Sequence, residues 1–158
     1  MLKILVQKWD ENKDILEEYL RNNTSLNTCE YLDIVKITFD CIFNHNIDTE
    51  EFCKLDVENI TVVDNGDYQG TLLFLIPFVT YQPTEYQYLM TYVGYGSCSG
   101  CDTLQRIQDY KDNGIKLTDE QVKDFISLCK DIITNTIKPY NYGWRNDEYF
   151  TEVETKEA

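Results

Sequence analysis

Between Ile60 and Ile76 the chain reads strand, turn, strand: a β-branched run Ile60-Thr-Val-Val63, a polar Asp64-Asn-Gly-Asp67, and an apolar Gly70-Thr-Leu-Leu-Phe-Leu-Ile76. No other stretch constrains the fold as much, because two such runs separated by turn residues read as an antiparallel hairpin. Asn65-Gly66 is expected to supply the turn. The second run is apolar without alternation, which predicts burial on both faces and a central place in the sheet, and Pro77 limits its continuation. After a connection over Tyr81-Gln-Pro-Thr84, a third strand from Tyr86 to Val93 alternates Tyr86, Tyr88, Met90 and Tyr92 with Gln87, Leu89, Thr91 and Val93.

Helices are expected on either side of this meander. Leu2-Lys-Ile-Leu-Val6 reads as a short N-terminal strand, followed by a helix capped by Asp10 with Ile15, Leu16, Tyr19 and Leu20 on one face, ending at Asn22-Asn-Thr-Ser25. A second helix from Glu30 to Asn44 puts Tyr31, Val35, Phe39 and Ile42 on one stripe and Ile34, Cys41 and His45 on its flank. Asp48 and Glu51 form a capping-box pattern for one or two helical turns over Thr49–Lys54. Further on, a helix is expected from Asp102 to Lys111, stopping at Asn113-Gly114. A clearer one opens on the Thr118/Gln121 capping box, carries Val122, Phe125, Ile126, Cys129, Ile132, Ile133 and Ile137 at helical spacing, and closes at Pro139. Tyr140-Asn-Tyr-Gly-Trp144 reads as an aromatic tie-down. The expected architecture is a single α+β domain over residues 1–150, a small antiparallel sheet flanked by helices, with an acidic, fraying tail over 151–158.

The charge balance narrows the function. With 28 acidic residues against 14 basic ones the net charge is -14, and no Lys or Arg occurs between Lys54 and Arg106. A protein that binds nucleic acid directly must neutralise phosphates with basic side chains, so this chain is not expected to do so. An acidic surface either keeps the protein soluble or mimics nucleic acid in the basic groove of another protein. No apolar run is long enough to span a bilayer, and the N-terminal apolar run is interrupted by Gln7-Lys8-Trp9-Asp10, too early for a secretory signal. The expectation is a soluble protein of the cytoplasm, where the six cysteines at 29, 41, 53, 98, 101 and 129 stay reduced.

One loop carries a specific chemical signature. In Tyr92-Val-Gly-Tyr-Gly-Ser-Cys-Ser-Gly-Cys-Asp-Thr-Leu104 a strand runs into a Gly/Ser turn holding Cys98 and Cys101, and Ser99 with Asp102 reads as a capping box for the helix beyond. Three readings of the cysteine pair stand side by side. As half of a tetrahedral zinc site it needs two more ligands, and Cys41 with His45, four apart on one helix flank, would complete a Cys41, His45, Cys98, Cys101 set. As a redox pair, Cys98 would attack and Cys101 resolve, although a thioredoxin-like motif belongs in an early β-α-β unit and not after a meander. As packing, the two thiols are small apolar groups in a turn that Gly94, Gly96 and Gly100 make tight. Cysteine-protease chemistry lacks a base, since His45 is the only histidine, and neither a phosphate-cradling loop nor a nucleophile elbow is present. Asp64, Asp67, Asp102 and Glu85 have the chemistry of a divalent-metal or acid/base site, but turn chemistry explains the first two and capping the third, and that generic reading is preferred.

Six tyrosines lie between Tyr68 and Tyr95 in the segment that lacks basic residues. Tyrosine buries a large rigid ring and keeps a hydroxyl, so Tyr68 and Tyr81 in the turns, beside Asp64, Asp67 and Glu85, are the expected partner-binding residues.

With those residues in hand, Asp64-Asn-Gly-Asp-Tyr-Gln-Gly-Thr-Leu-Leu-Phe-Leu-Ile76, Tyr95-Gly-Ser-Cys-Ser-Gly-Cys-Asp-Thr-Leu104 and Lys138-Pro-Tyr-Asn-Tyr-Gly-Trp144 resemble a family of uncharacterised proteins from phages and prophages of Gram-positive bacteria. The resemblance covers about residues 30 to 150 and implies a setting, the host cytoplasm, without implying an activity. In that setting small acidic proteins inhibit a host defence or metabolic protein by binding it. The expectation is therefore protein–protein binding to a host or phage protein with a basic surface, with zinc or thiol chemistry at Cys98 and Cys101 as the alternative.

Overall fold

The computed structural model describes residues 2–45, 54–67, 69–79, 88–97, 100–108 and 117–137. The hairpin at its centre forms between β1 (Thr61–Gly66) and β2 (Gly70–Pro77), and β2 pairs in turn with β3 (Tyr88–Tyr95). Both pairings are antiparallel and the order is β1-β2-β3, so β2 is central as its apolar run implies. The turn falls later than Asn65-Gly66. Those two residues extend the ladder, opposite Thr71 and Gly70, and the connection is residues 67–69. Two facing glycines make this possible: a Cβ on Gly66 would lie 2.3 Å from the Gln69 carbonyl oxygen, and one on Gly70 2.4 Å from that of Asn65. The backbones close to a distance that no side chain permits.

Alternation sorts the sheet into two faces. Phe74, Ile76, Leu89, Thr91 and Val93 are buried and lie on the helix side. Leu73, Leu75, Tyr88 and Met90, on the reverse side, are only half-buried, and Val63 and Tyr92 are each 45% exposed. None of these six belongs to the core cluster. The expected burial of β2 on both faces is thus corrected to burial on the helix side, and the tyrosine face of β3 is the side turned away from the last helix.

The chain begins with a helix where a strand was expected. Helix α1 runs from Leu2 to Asn22, because Leu5, Trp9, Asn12, Leu16 and Leu20 recur at spacings of three and four and form one buried stripe through the segment. Asp10 lies exposed inside that helix and does not cap it. Buried Asn12 donates to the Ile42 carbonyl at 2.9 Å, so α1 caps the end of α2 (Tyr31–Ile42). Helix α2 opens on a capping box in which Asp33 accepts the Glu30 N–H at 2.9 Å. Past its end, the Asn44 side chain accepts the Leu55 N–H at 2.7 Å and donates to the Leu55 carbonyl at 2.8 Å, a rung that ties the entry to the sheet.

Helix α3 (Thr103–Gln108) follows the Cys loop, and α4 (Asp119–Thr134) starts on the expected Thr118/Gln121 box. Val122, Phe125, Leu128, Cys129, Ile132 and Ile133 of α4 are buried, and Thr91 of β3 donates to the Ile132 carbonyl at 2.7 Å. Helices α1, α2 and α4 pack on one another, with α4 against β3. Each large side chain so buried contributes about 1.5–3 kcal/mol. Helix α4 ends at Thr134, before the expected Pro139. Ile137 leaves the helix and exchanges backbone hydrogen bonds with Met90 at 2.9 and 2.8 Å, closing the outer edge of β3.

The architecture is α+β, a three-stranded antiparallel meander with helices. The connection over 81–84, the tie-down at 140–144 and the tail lie outside the described residues, as does the short helix expected over 49–54 except for Lys54. Among the described residues no helix is long and apolar enough to cross a membrane.

Candidate functional site

The Cys loop is built around one carboxylate. Asp102 is 4% exposed and accepts three hydrogen bonds: from the Gly96 N–H at 2.8 Å, the Gln105 N–H at 2.9 Å and the Tyr31 hydroxyl at 3.1 Å. It is therefore the N-cap of α3, the role that the sequence gives to Ser99, with its carboxylate reaching back to the start of the loop. The Tyr31 hydroxyl, at the first turn of α2, also accepts the Leu104 N–H at 3.0 Å. Burial holds its proton well above the usual phenol range. One buried Asp thus joins β3, α2 and α3.

Gly96 is required by close approach. A Cβ there would lie 2.6 Å from Cys101 Sγ and 2.7 Å from the Cys101 carbonyl oxygen, so the two ends of the loop touch backbone to backbone. Cys101 itself is exposed, and Cys98 lies outside the described residues. The partners expected for a zinc site stand differently from the sequence reading. Cys41 is half-buried on α2, and burial pushes its thiol up to about 11. His45 is exposed beyond the end of α2, since the helix stops at Ile42 with Phe43 as its C-cap, so the two do not share a helix face. Among the described residues, which include Cys41, His45 and Cys101, no three His, Cys, Asp or Glu side chains are grouped to hold a metal ion. Buried Cys129 and half-buried Cys29 are likewise pushed up, to about 12 and about 11, by desolvation.

A cleft of about 520 Å³ opens between the helix side of the sheet, the start of α2 and α3. Its apolar lining includes Leu72 and Phe74 of β2, Val62, Leu32 and Leu104, and its polar lining includes Gln105 and Gln108. The charged residues that line it are Glu30, Asp64 and Asp102, all acidic. Asp64 of β1 accepts the Tyr95 hydroxyl at 2.6 Å across the end of β2, where Gly70 stands opposite Tyr95. That hydrogen bond, with burial and the charges of Asp64 and Asp67, pushes Tyr95 up to about 12. Gln108 closes the far end, donating at 2.9 Å to the carbonyls of both Leu26 and Cys29.

Of the expected partner-binding residues, Asp64 lines the cleft and Asp67 is exposed in the β1–β2 loop, whereas Tyr68, Tyr81 and Glu85 lie outside the described residues. The sequence reading passed over Tyr31, Tyr95 and Gln108. Tyr31 sat on the core stripe and Tyr95 inside the motif, and periodicity says nothing about where a hydroxyl points. A buried Asp in a loop does require donors, and that signal was available for Asp102.

Compared with protein-family models, curated proteins and solved structures, the chain matches none of them.

Proposed function

We propose that this chain is a phage-type binding protein that docks onto a host or phage protein with a basic surface and inhibits it. A nucleic-acid-binding defence protein is the partner its charge suits, with the acidic surface occupying the groove that would hold nucleic acid. The observation that carries this reading is the cleft, whose apolar lining is joined by Glu30, Asp64 and Asp102 with no Lys or Arg among its lining residues. Asp102 already serves three donors, whereas Asp64 serves only the Tyr95 hydroxyl and Glu30 only the first turn of α2, so these two carboxylates keep acceptor capacity for an incoming cation. A Lys or Arg side chain fits such a place, its stem on the partly exposed Leu72 and Val62 and its head at the carboxylates. The net charge of -14 adds long-range steering. The phage setting and the host cytoplasm rest on the sequence resemblance.

Affinity capture from host lysate tests this. Raising salt from about 0.1 to 1 M shortens the screening length from about 10 to 3 Å, so the captured partner should elute, and added duplex DNA should compete with the chain for it. A partner that is indifferent to both rules out the mimic.

The second reading, a zinc-binding or thiol-redox protein using Cys98 and Cys101, is favoured by the exposure of Cys101 at the loop surface. Protein purified without chelator should then carry close to one zinc per chain, or a Cys98 that alkylates faster than a free thiol. Metal-free protein with an ordinary thiol leaves the packing role.

A further inference from the structure

The two edges of the sheet are treated differently. The outer edge of β3 is closed by Ile137, which bonds Met90 through both backbone groups, and by Asn135, whose side chain donates to the Tyr92 carbonyl at 3.2 Å. Among the described residues nothing bonds the outer edge of β1. All six β1 residues are exposed, Val62 by 39% and Val63 by 45%. Soluble proteins blunt a free edge with charge, Pro or a bulge; Thr61-Val-Val-Asp-Asn-Gly66 pairs with β2 residue for residue with neither Pro nor bulge, and its one charge, Asp64, is negative and repels an acidic strand while leaving a basic one free to pair. Its β-branched start is well suited to a further strand.

We propose that β1 is a docking edge that takes up an extended, basic segment of the partner as a fourth strand, a proposal that rests on the binding reading above and names its mode. The charge around the edge selects the occupant. Asp64 lies within the strand and Asp67 follows it, while Glu58 before it pairs with Lys36 at 3.8 Å; no Lys or Arg occurs from residue 55 to 105. A second copy of this chain would bring the same carboxylates against themselves, so self-pairing is disfavoured. An incoming strand sits about 4.8 Å from β1 and alternates its side chains between the two faces. On one face they pass Val63; on the other they pass Val62 and Asp64 at the cleft, where a Lys or Arg meets Asp64 and Glu30. Backbone bonds then supply affinity and the cleft supplies the preference for a cation.

The test uses the full chain and a synthetic segment alternating Lys with Val, blocked at both ends. Binding should protect the amides of 61–66 from hydrogen exchange. N-methylation of alternate residues along the edge that faces β1 should weaken binding by about tenfold or more, since each methyl removes one backbone hydrogen bond, while the same change on the opposite edge should not. The alterations are in the probe, so the fold of the protein is not at stake. Failure of the segment to bind, equal loss from both methylated forms, or protection elsewhere overturns the docking edge, and protection of 61–66 that grows with protein concentration alone assigns it to a second copy. If lysate capture still yields a salt-sensitive partner, only the mode has failed and the binding reading survives.

Discussion

Replacing Asp102 with Ala should destabilise the protein far more than a loop substitution does. The carboxylate is 4% exposed and serves the Gly96 N–H, the Gln105 N–H and the Tyr31 hydroxyl. Loss of the cap on α3 costs about 1 kcal/mol. The Gly96 amide, in a buried residue, then loses its acceptor, which costs about 1–3 kcal/mol. The two together come to about 2–4 kcal/mol, and the Tyr31 hydroxyl, which keeps the Leu104 amide as donor but has no acceptor for its own proton, adds to that, so the loss is at least about 2–4 kcal/mol of the roughly 5–15 kcal/mol that holds a domain together. Asp102→Ser is the informative companion. Its shorter side chain can still cap Gln105 but cannot span to Gly96 and Tyr31, so it should recover about the 1 kcal/mol of the cap alone. Urea unfolding measures both, with the slope unchanged, and the midpoint temperature of the Ala variant should fall by roughly 4–16 °C. A loss below about 0.5 kcal/mol, the size of an ordinary surface change, would show that the loop is held by something other than Asp102.

Gly96→Ala should be damaging for a separate reason, since its Cβ meets the Cys101 backbone carbonyl as well as the thiol, and adding Cys101→Ser should therefore fail to rescue urea stability. Tyr95 should titrate near 12 by tyrosinate absorbance and move toward the ordinary 10 in Asp64→Asn. The native state holds that proton more tightly than the unfolded chain, so the link contributes stability in full below the unfolded value of 10 and loses it as pH rises toward 12. Thiol alkylation near neutral pH should reach exposed Cys101 well before Cys29 and Cys41, and Cys129 only on unfolding, as mass spectrometry of timed samples will show.

The meander, the central place of β2, helix α2 and the start of α4 were all legible, because each is written in local pattern: a β-branched run, an unbroken apolar run, a helical stripe, a capping box. The misreadings have physical causes. Leu2–Val6 has the composition of a strand, and only its phase with Trp9, Asn12 and Leu16 reveals a helix. Asn65-Gly66 is turn chemistry, yet a second glycine at position 70 lets the strands close two rungs further. Ile137 keeps helical spacing with Ile133 but is drawn away by the unpaired edge of β3. In the cleft, Asp64 could be singled out from charge, whereas Tyr31, Tyr95 and Gln108 join it through partners 31 to 82 residues distant, which no local pattern encodes.

If carboxylates at the cleft meet a cation of the partner protein, removing their charge must weaken the complex. The affinity of the captured partner for wild-type chain and for Glu30→Gln with Asp64→Asn, titrated over a range of salt, decides this. Asp64→Asn keeps an oxygen for the Tyr95 hydroxyl and Glu30→Gln keeps one for the first turn of α2, so the melting temperature should fall only by what the two charges add to those hydrogen bonds, and the double variant should remain folded at the assay temperature. Binding should weaken by about tenfold or more and depend less steeply on salt, as expected when desolvated charge pairs are lost. Unchanged affinity with the same salt dependence would contradict this and move the binding surface away from the cleft.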